Sequence, residues 1–333
     1  MLRTISLWGL TAAFSLGVLP ISAAHRPRIS AGSIARQTPQ RSAGIWLPRG
    51  MIQSRTAPLA SVLTARDRQQ FDQIMATAQQ QRISAQPYGQ ILQHFAMQLL
   101  GRPYQAGLLD QSSAEPLVVS LTQFDCVLFV ETVLALAQSF VSAPARPSAE
   151  VFTQAIASHR YRQGQRQGYC SRLHYFSDWI EDNQQRGQVQ NLTRQFGGRS
   201  HPTPLQFMSR HRQQYPQITD PDLYNCIVQM EDRLASVSRF YIPTPQVRQI
   251  EAQLQPGDII AVATAVPYLD VTHTGLIYTA PTGKPGLIHA SPGGSVRLAP
   301  DLTRYLQQVD SALGIMVARP VPPSAPRPPH LDP

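Results

Sequence analysis

The segment from Phe124 to Phe140 is apolar at 127 to 130, 133, 134, 136, 137 and 140, which covers nearly every side of a helix. Such a helix cannot lie on a surface and has to be enclosed. Pro144 and Pro147 close it. The rest of the chain must therefore supply layers around it, and 333 residues are enough to do so.

Two of those layers are legible. The spacing of Phe71, Ile74, Met75 and Ala78 predicts an amphipathic helix over 65–81, and Ile91, Leu92, Phe95, Met97, Leu99 and Leu100 predict another over 88–100. Gly101 ends the second and Pro103 stops it resuming. Beyond a short apolar run, Pro116 to Leu121, and the buried helix, residues 148–255 read as mixed helix and loop, with helical stretches at 150–158, 173–183 and 223–238. The texture changes at Pro256-Gly257. Short Val- and Ile-rich runs at 258–264, 273–279, 287–290 and 313–318, parted by Pro and Gly turns, predict an antiparallel sheet. The expected fold class is α+β.

Both ends read as lying outside this body. One arginine, an uncharged stretch from Ile5 to Ile21 and then Ser22-Ala23-Ala24 make residues 1–24 a signal peptide, cleaved after Ala24. The apolar stretch, interrupted by Gly9, Gly17 and Pro20, is short for a bilayer, so no stable membrane insertion is expected. Residues 25–60 form an arm rich in Arg, Pro and Ser, residues 61–319 a single catalytic domain, and residues 320–333 a proline-rich disordered tail. The expected location is the periplasm or the exterior of the cell.

The net charge is +9 and Lys284 is the only lysine. Arginine offers forked contacts to carboxylates and phosphates, so an anionic partner fits. With no basic helical stripe and no zinc-finger spacing, nucleic acid is not the expected partner; an anionic cell-wall polymer suits export better. Three cysteines, Cys126, Cys170 and Cys226, cannot all pair. A Cys170–Cys226 bridge with Cys126 free is one arrangement, which sequence alone does not decide.

Cys126 is the first residue of the buried helix. There a thiol faces unpaired backbone N–H groups and the positive end of the dipole, which favour thiolate. Asp125 stands at the N-cap. The base candidates are His273, in Val271-Thr-His-Thr-Gly-Leu-Ile-Tyr278, and His289, in Gly286-Leu-Ile-His-Ala-Ser291. A hairpin through 280–285 sets their strands side by side. Mirror pairing puts His273 opposite residue 292, so an uneven or bulged turn at Gly283 and Pro285 is expected to bring His289 across.

Pro103-Tyr104, Asp125-Cys126-x-x-Phe129-Val130-Glu131, Pro256-Gly257-Asp258, His273-Thr-Gly-Leu-Ile-Tyr278 and Ile288-His289-Ala-Ser291 occur in that order. Together they resemble the NlpC-type branch of papain-like cysteine peptidases. The long stretch between Cys126 and His273, with Arg172-Leu-His174-Tyr175-Phe-Ser-Asp178-Trp179 and Asp270-Val-Thr-His273, is similar to the N-acetylmuramoyl-L-alanine amidase-like subgroup, formerly a domain of unknown function. The resemblance covers roughly residues 65–320. It implies a papain-like NlpC-type fold, with the nucleophile helix packed on the sheet and a mostly helical insertion over about 145–255. It implies Cys126 as nucleophile, His273 as general base and then acid, and His289 as orienting group.

Tyr104, Asp125, Arg172, His174 and Asp270 become the candidate substrate contacts. The implied activity is hydrolysis of the amide between N-acetylmuramic acid and L-alanine in peptidoglycan fragments, by a monomer. The alternatives are cleavage after γ-D-glutamate in the stem peptide, a muropeptide-binding module without turnover, and acyl transfer. No cofactor is expected, and a metal reading of His174, His273 and His289 lacks a paired-ligand motif.

Overall fold

The computed structural model describes residues 62–112, 114–201 and 203–323. The signal peptide, the whole arm and the end of the tail lie outside these residues. Helix α1 (Ala65–Gln80) is capped by Thr64, whose hydroxyl accepts from the Asp67 N–H at 3.0 Å. Asp67 in turn accepts from the Leu121 N–H at 2.8 Å, fixing the loop that leads into the buried helix. Helix α2 is Tyr88–Gln98, and the buried helix is α3, Cys126–Ser142, started by Asp125 at its N-cap. The apolar run Pro116 to Leu121 is irregular rather than a strand.

Helices α4 (Ala149–Arg160), α5 (Phe176–Gln185), α6 (Phe207–Arg210), α7 (Pro221–Leu234) and α8 (Thr244–Ile250) follow, and α9 (Leu302–Leu306) comes late. The insertion is mostly helical, as expected, and also contributes three short strands, β1 (Val189–Asn191), β2 (Arg199–Ser200) and β3 (Phe240–Pro243). They have little of the alternation that marks a strand, and neighbours recruit them. The expected strands are β4 (Ile259–Thr264), β5 (Val271–Thr279), β6 (Pro285–Ala290) and β8 (Ala312–Pro320), with β7 (Val296–Ala299) an addition. Pro320, expected to open the tail, ends β8 opposite Val189.

The sheet is antiparallel in the order β2-β3-β8-β4-β5-β6-β7, with β1 also on β8. Every residue of β4 is buried, because both of its faces are covered. Ile259, Ala261 and Ala263 join Leu276, Ile288 and Met316 in the core around α3, while Ile260 and Val262 join Ile277, Leu287, Leu302 and Leu306 on the other face. The period of two along β4 and β5 thus assigns alternate residues to two cores.

A third apolar cluster lies within the insertion, around Tyr175, Ile218, Ile227 and Met230. Cys170 and Cys226 are bridged beside it, Cα atoms 6.1 Å apart, leaving Cys126 as the free cysteine. The insertion is held to α3 by Glu131, which pairs with Arg160 at 2.7 Å and accepts from the Trp179 indole at 3.2 Å, all fully buried. Among the described residues no helix is long and apolar enough to cross a membrane.

Candidate active site

Asp125 fixes where α3 begins. Its carboxylate accepts the Leu128 N–H at 2.8 Å, so the helix starts at Cys126 and the thiol stands at its N-terminus. The Cys126 N–H lies beside its own Sγ. From β5, Thr274 donates its hydroxyl to the Cys126 carbonyl oxygen at 2.9 Å and turns donors toward the sulfur. Thr274 is a site residue that sequence reasoning missed, although it adjoins His273 in the motif.

The two histidines meet as expected, by a different route. β5 and β6 pair symmetrically, Leu276 with Ile288 and Thr279 with Pro285, so the turn needs no bulge and the same register sets His289 opposite Gly275. His273 and His289 are diagonal neighbours, with Nε2 of His273 and Nδ1 of His289 at 2.7 Å. Gly275 makes room for this: a Cβ there would lie 2.9 Å from the His289 Cβ and 2.8 Å from the Ile288 carbonyl oxygen. The irregularity is on the other side of β5, where Val262 faces His273 and Ala263 faces Val271. When His273 carries its proton on Nε2 and donates to His289, its Nδ1 is left with a lone pair.

Tyr305 of α9 packs on both rings, with centroids 4.9 Å from His289 and 6.3 Å from His273. Burial raises its phenol, and so would a charge on Cys126, which sets the thiol within electrostatic reach of the ring that covers both histidines. Tyr104 is half-buried on the chain beside Phe124, its phenol raised by burial and then by Cys126 and Asp125. Tyr305, on a short helix far along the chain, had no sequence signal.

Burial, then the Asp125 charge, push the Cys126 thiol up to about 11, against the pull of the Thr274 donors. Burial brings His273 down to about 4 and His289 to about 2, the latter helped by His273 and Arg297. The expectation of a depressed thiol is therefore corrected: desolvation at the half-buried Cys126 outweighs the helix terminus. The resting couple is neutral thiol and neutral imidazole.

The other candidates are engaged by the protein. Asp270 is wholly buried and accepts the N–H groups of Ser177 and Val271, both at 2.8 Å, which caps α5. Arg172 bonds Asp110 at 2.6 Å and the Leu109 carbonyl at 2.8 Å. A His174 ring nitrogen lies 2.9 Å from the Tyr169 carbonyl oxygen, and burial lowers that histidine well below its ordinary value. Tyr175 and Trp179 are core. Asp125, too, serves the helix cap, and burial pushes its carboxyl up to about 6 against the Leu128 N–H. Among the described residues no three His, Cys, Asp or Glu side chains are grouped to hold a metal ion.

Residues 94–315 match the model of the AmiA-like family, described as N-acetylmuramoyl-L-alanine amidase-like. The chain belongs to that family. Among solved structures, this amidase-like chain is similar to an N-acetylmuramoyl-L-alanine amidase from Bacteroides uniformis, at 30% identity and TM-score 0.64, over 70% of this chain and 99% of that one. A Bacteroides fragilis protein provisionally named a xylanase matches at 30% identity and TM-score 0.60, over 67% and 98%. A Legionella pneumophila protein shares the fold at 19% identity and TM-score 0.57, over 80% and 98%. A search of curated proteins found no match to the amidase-like chain.

Proposed function

We propose that this chain is a cysteine amidase of peptidoglycan fragments that hydrolyses the amide between the lactyl group of N-acetylmuramic acid and L-alanine. The observation that carries the reading is the 2.7 Å bond between His273 and His289, which leaves Nδ1 of His273 uncommitted on the strand whose next residue, Thr274, bonds the carbonyl of the free cysteine at the helix start. The arrangement is read as the NlpC-type papain-like one. Family membership supports amide hydrolysis, and the name of the Bacteroides uniformis neighbour supports this bond.

In this mechanism Sγ of Cys126 attacks the lactyl carbonyl carbon as its proton passes to Nδ1 of His273. The carbonyl oxygen becomes an oxyanion, which accepts from the Cys126 N–H and from the Tyr104 hydroxyl. His289 holds the imidazole in the productive tautomer and bears part of the charge that forms. Collapse breaks the C–N bond, and His273 gives the proton to the departing L-alanine amine. Water, deprotonated by His273, then opens the thioester and restores the thiol.

The chain is proposed to act as a monomer after export to the periplasm or the exterior. The Cys170–Cys226 bridge supports an oxidising compartment. Mass spectrometry of defined muropeptides incubated with the protein and with Cys126→Ala tests the activity. Intact stem peptide and free sugar, absent with the variant, is the expected result. Release of L-Ala-γ-D-Glu would assign the endopeptidase instead, and no turnover by either protein would leave a binding module.

A further inference from the structure

Beside the histidine pair stands a guanidinium that has no ion-pair partner among the described residues. Arg297 on β7 is directly opposite His289 in the register, and residues so paired project from the same face of a sheet. Its side chain is therefore on the side that carries His273, His289 and Tyr305. It is exposed, and among the described residues it enters none of the ion pairs. The nearby carboxylate of Asp301 is paired elsewhere, with Arg248 at 3.8 Å. The Arg297 charge reaches the centre, since it lowers both His289 and Tyr305.

The backbone beneath this arginine is pinned. The β6–β7 turn closes with Ser291 N–H on the Ser295 carbonyl at 3.0 Å and Gly294 N–H on the Ser291 carbonyl at 2.9 Å. The segment carrying Tyr104 is sewn to it: the Tyr104 N–H donates to Gly294 at 2.9 Å, and the Val296 N–H to Arg102 at 2.8 Å. Gly293 supplies the space in which the guanidinium lies, because a Cβ there would collide with Nη2 of Arg297 and with no backbone atom. Arg172, by contrast, spends its guanidinium on Asp110 and Leu109.

A guanidinium held on rigid backbone next to a reaction centre suits a planar anion, which it can grip with two parallel hydrogen bonds. Resting on the amidase reading above, we propose that Arg297 is a specificity residue that binds the first free carboxylate of the stem peptide, the α-carboxylate of the D-glutamate that follows L-alanine. Its role is to dock the leaving peptide. The scissile amide is then registered over Cys126 by Tyr104 on one side and Arg297 on the other.

The test compares N-acetylmuramoyl-L-alanyl-D-glutamate with the same compound carrying an α-carboxamide. Calorimetry on the Cys126→Ala protein is expected to show the acid bound about 10- to 100-fold more tightly. Adding Arg297→Ala should bring the two within about twofold, and Arg297→Lys should restore part of the gap, since a point charge replaces the fork. Gly293→Ala, which keeps the charge and displaces the guanidinium, is expected to narrow the gap as well. Arg66→Ala, at an exposed arginine on α1, serves as the control and should leave it unchanged.

In turnover the loss with Arg297→Ala should appear in KM rather than kcat. Equal binding of both compounds with Arg297 present, or binding of neither, overturns the proposal. Discrimination that survives Arg297→Ala does so too. Because these measurements use protein without the nucleophile, a failure of the unmodified protein to hydrolyse either compound would sink the amidase reading while the binding comparison still decides the arginine.

Discussion

The hydroxyl of Thr274 donates to the carbonyl oxygen of Cys126 at 2.9 Å, joining the first residue of the buried helix to the strand that carries His273. Thr274→Val keeps the shape and removes the donor. Stability is expected to fall by about 0.5–1.5 kcal/mol, and kcat by about tenfold as the thiol loses its register with the imidazole. Urea unfolding and steady-state kinetics check the two effects separately. An unchanged kcat would reduce Thr274 to a packing residue.

The pH dependence follows from the direction of each shift. Burial holds His273 near 4, so it is neutral above that, and holds Cys126 near 11, so it keeps its proton below that. Between the two values the couple contains one transferable proton, whichever atom holds it. The kcat/KM profile is expected to be flat across neutral pH, with an acid limb near 4 and an alkaline limb near 11. Iodoacetamide should alkylate Cys126 more slowly at pH 7 than a free thiol of ordinary value about 8.5. Fast alkylation at pH 7 would show a resting ion pair.

Glu131 and Arg160 are a buried pair at 2.7 Å, and the Trp179 indole donates to the same carboxylate. Glu131→Gln leaves the guanidinium without a counter-charge in the core. A loss of about 3–5 kcal/mol is expected, measured by denaturant unfolding. Glu131→Leu combined with Arg160→Met should recover much of it, since two apolar groups need no desolvated partner. If the double variant is as unstable as the single one, shape rather than charge governs the site.

Cys170 and Cys226 close a loop of sequence separation 56 within the insertion. Replacing both by serine is expected to cost about 2–4 kcal/mol, seen as a lower Tm, because the unfolded chain regains the entropy that the bridge removes. Specific activity of the folded fraction should be unchanged, since the bridge belongs to the cluster around Tyr175 and Ile227. A loss of activity at full folding would tie the insertion to catalysis.

Much of this was legible in the chain itself, for reasons that are local. The all-round apolar segment, with aspartate before it and prolines after it, determined the enclosed helix and put Cys126 at its start; hydrophobic period and caps are written in neighbouring residues. Val- and Ile-rich runs between turns determined β4, β5, β6 and β8. The order of motifs named the histidines and the family.

Tertiary structure decided what depends on residues far apart. The register that makes His273 and His289 diagonal, with Gly275 opening the space, follows from the pairing of whole strands. The strands of the insertion exist because β8 and β3 pair with them, which their own few residues do not encode. The direction of the Cys126 shift reversed the local expectation, because the helix terminus is a matter of a few adjoining residues whereas burial is imposed by everything packed around the sulfur. Sequence determined which groups the site contains; packing decided their distances, their protonation and, through Thr274, Tyr305 and Arg297, their company.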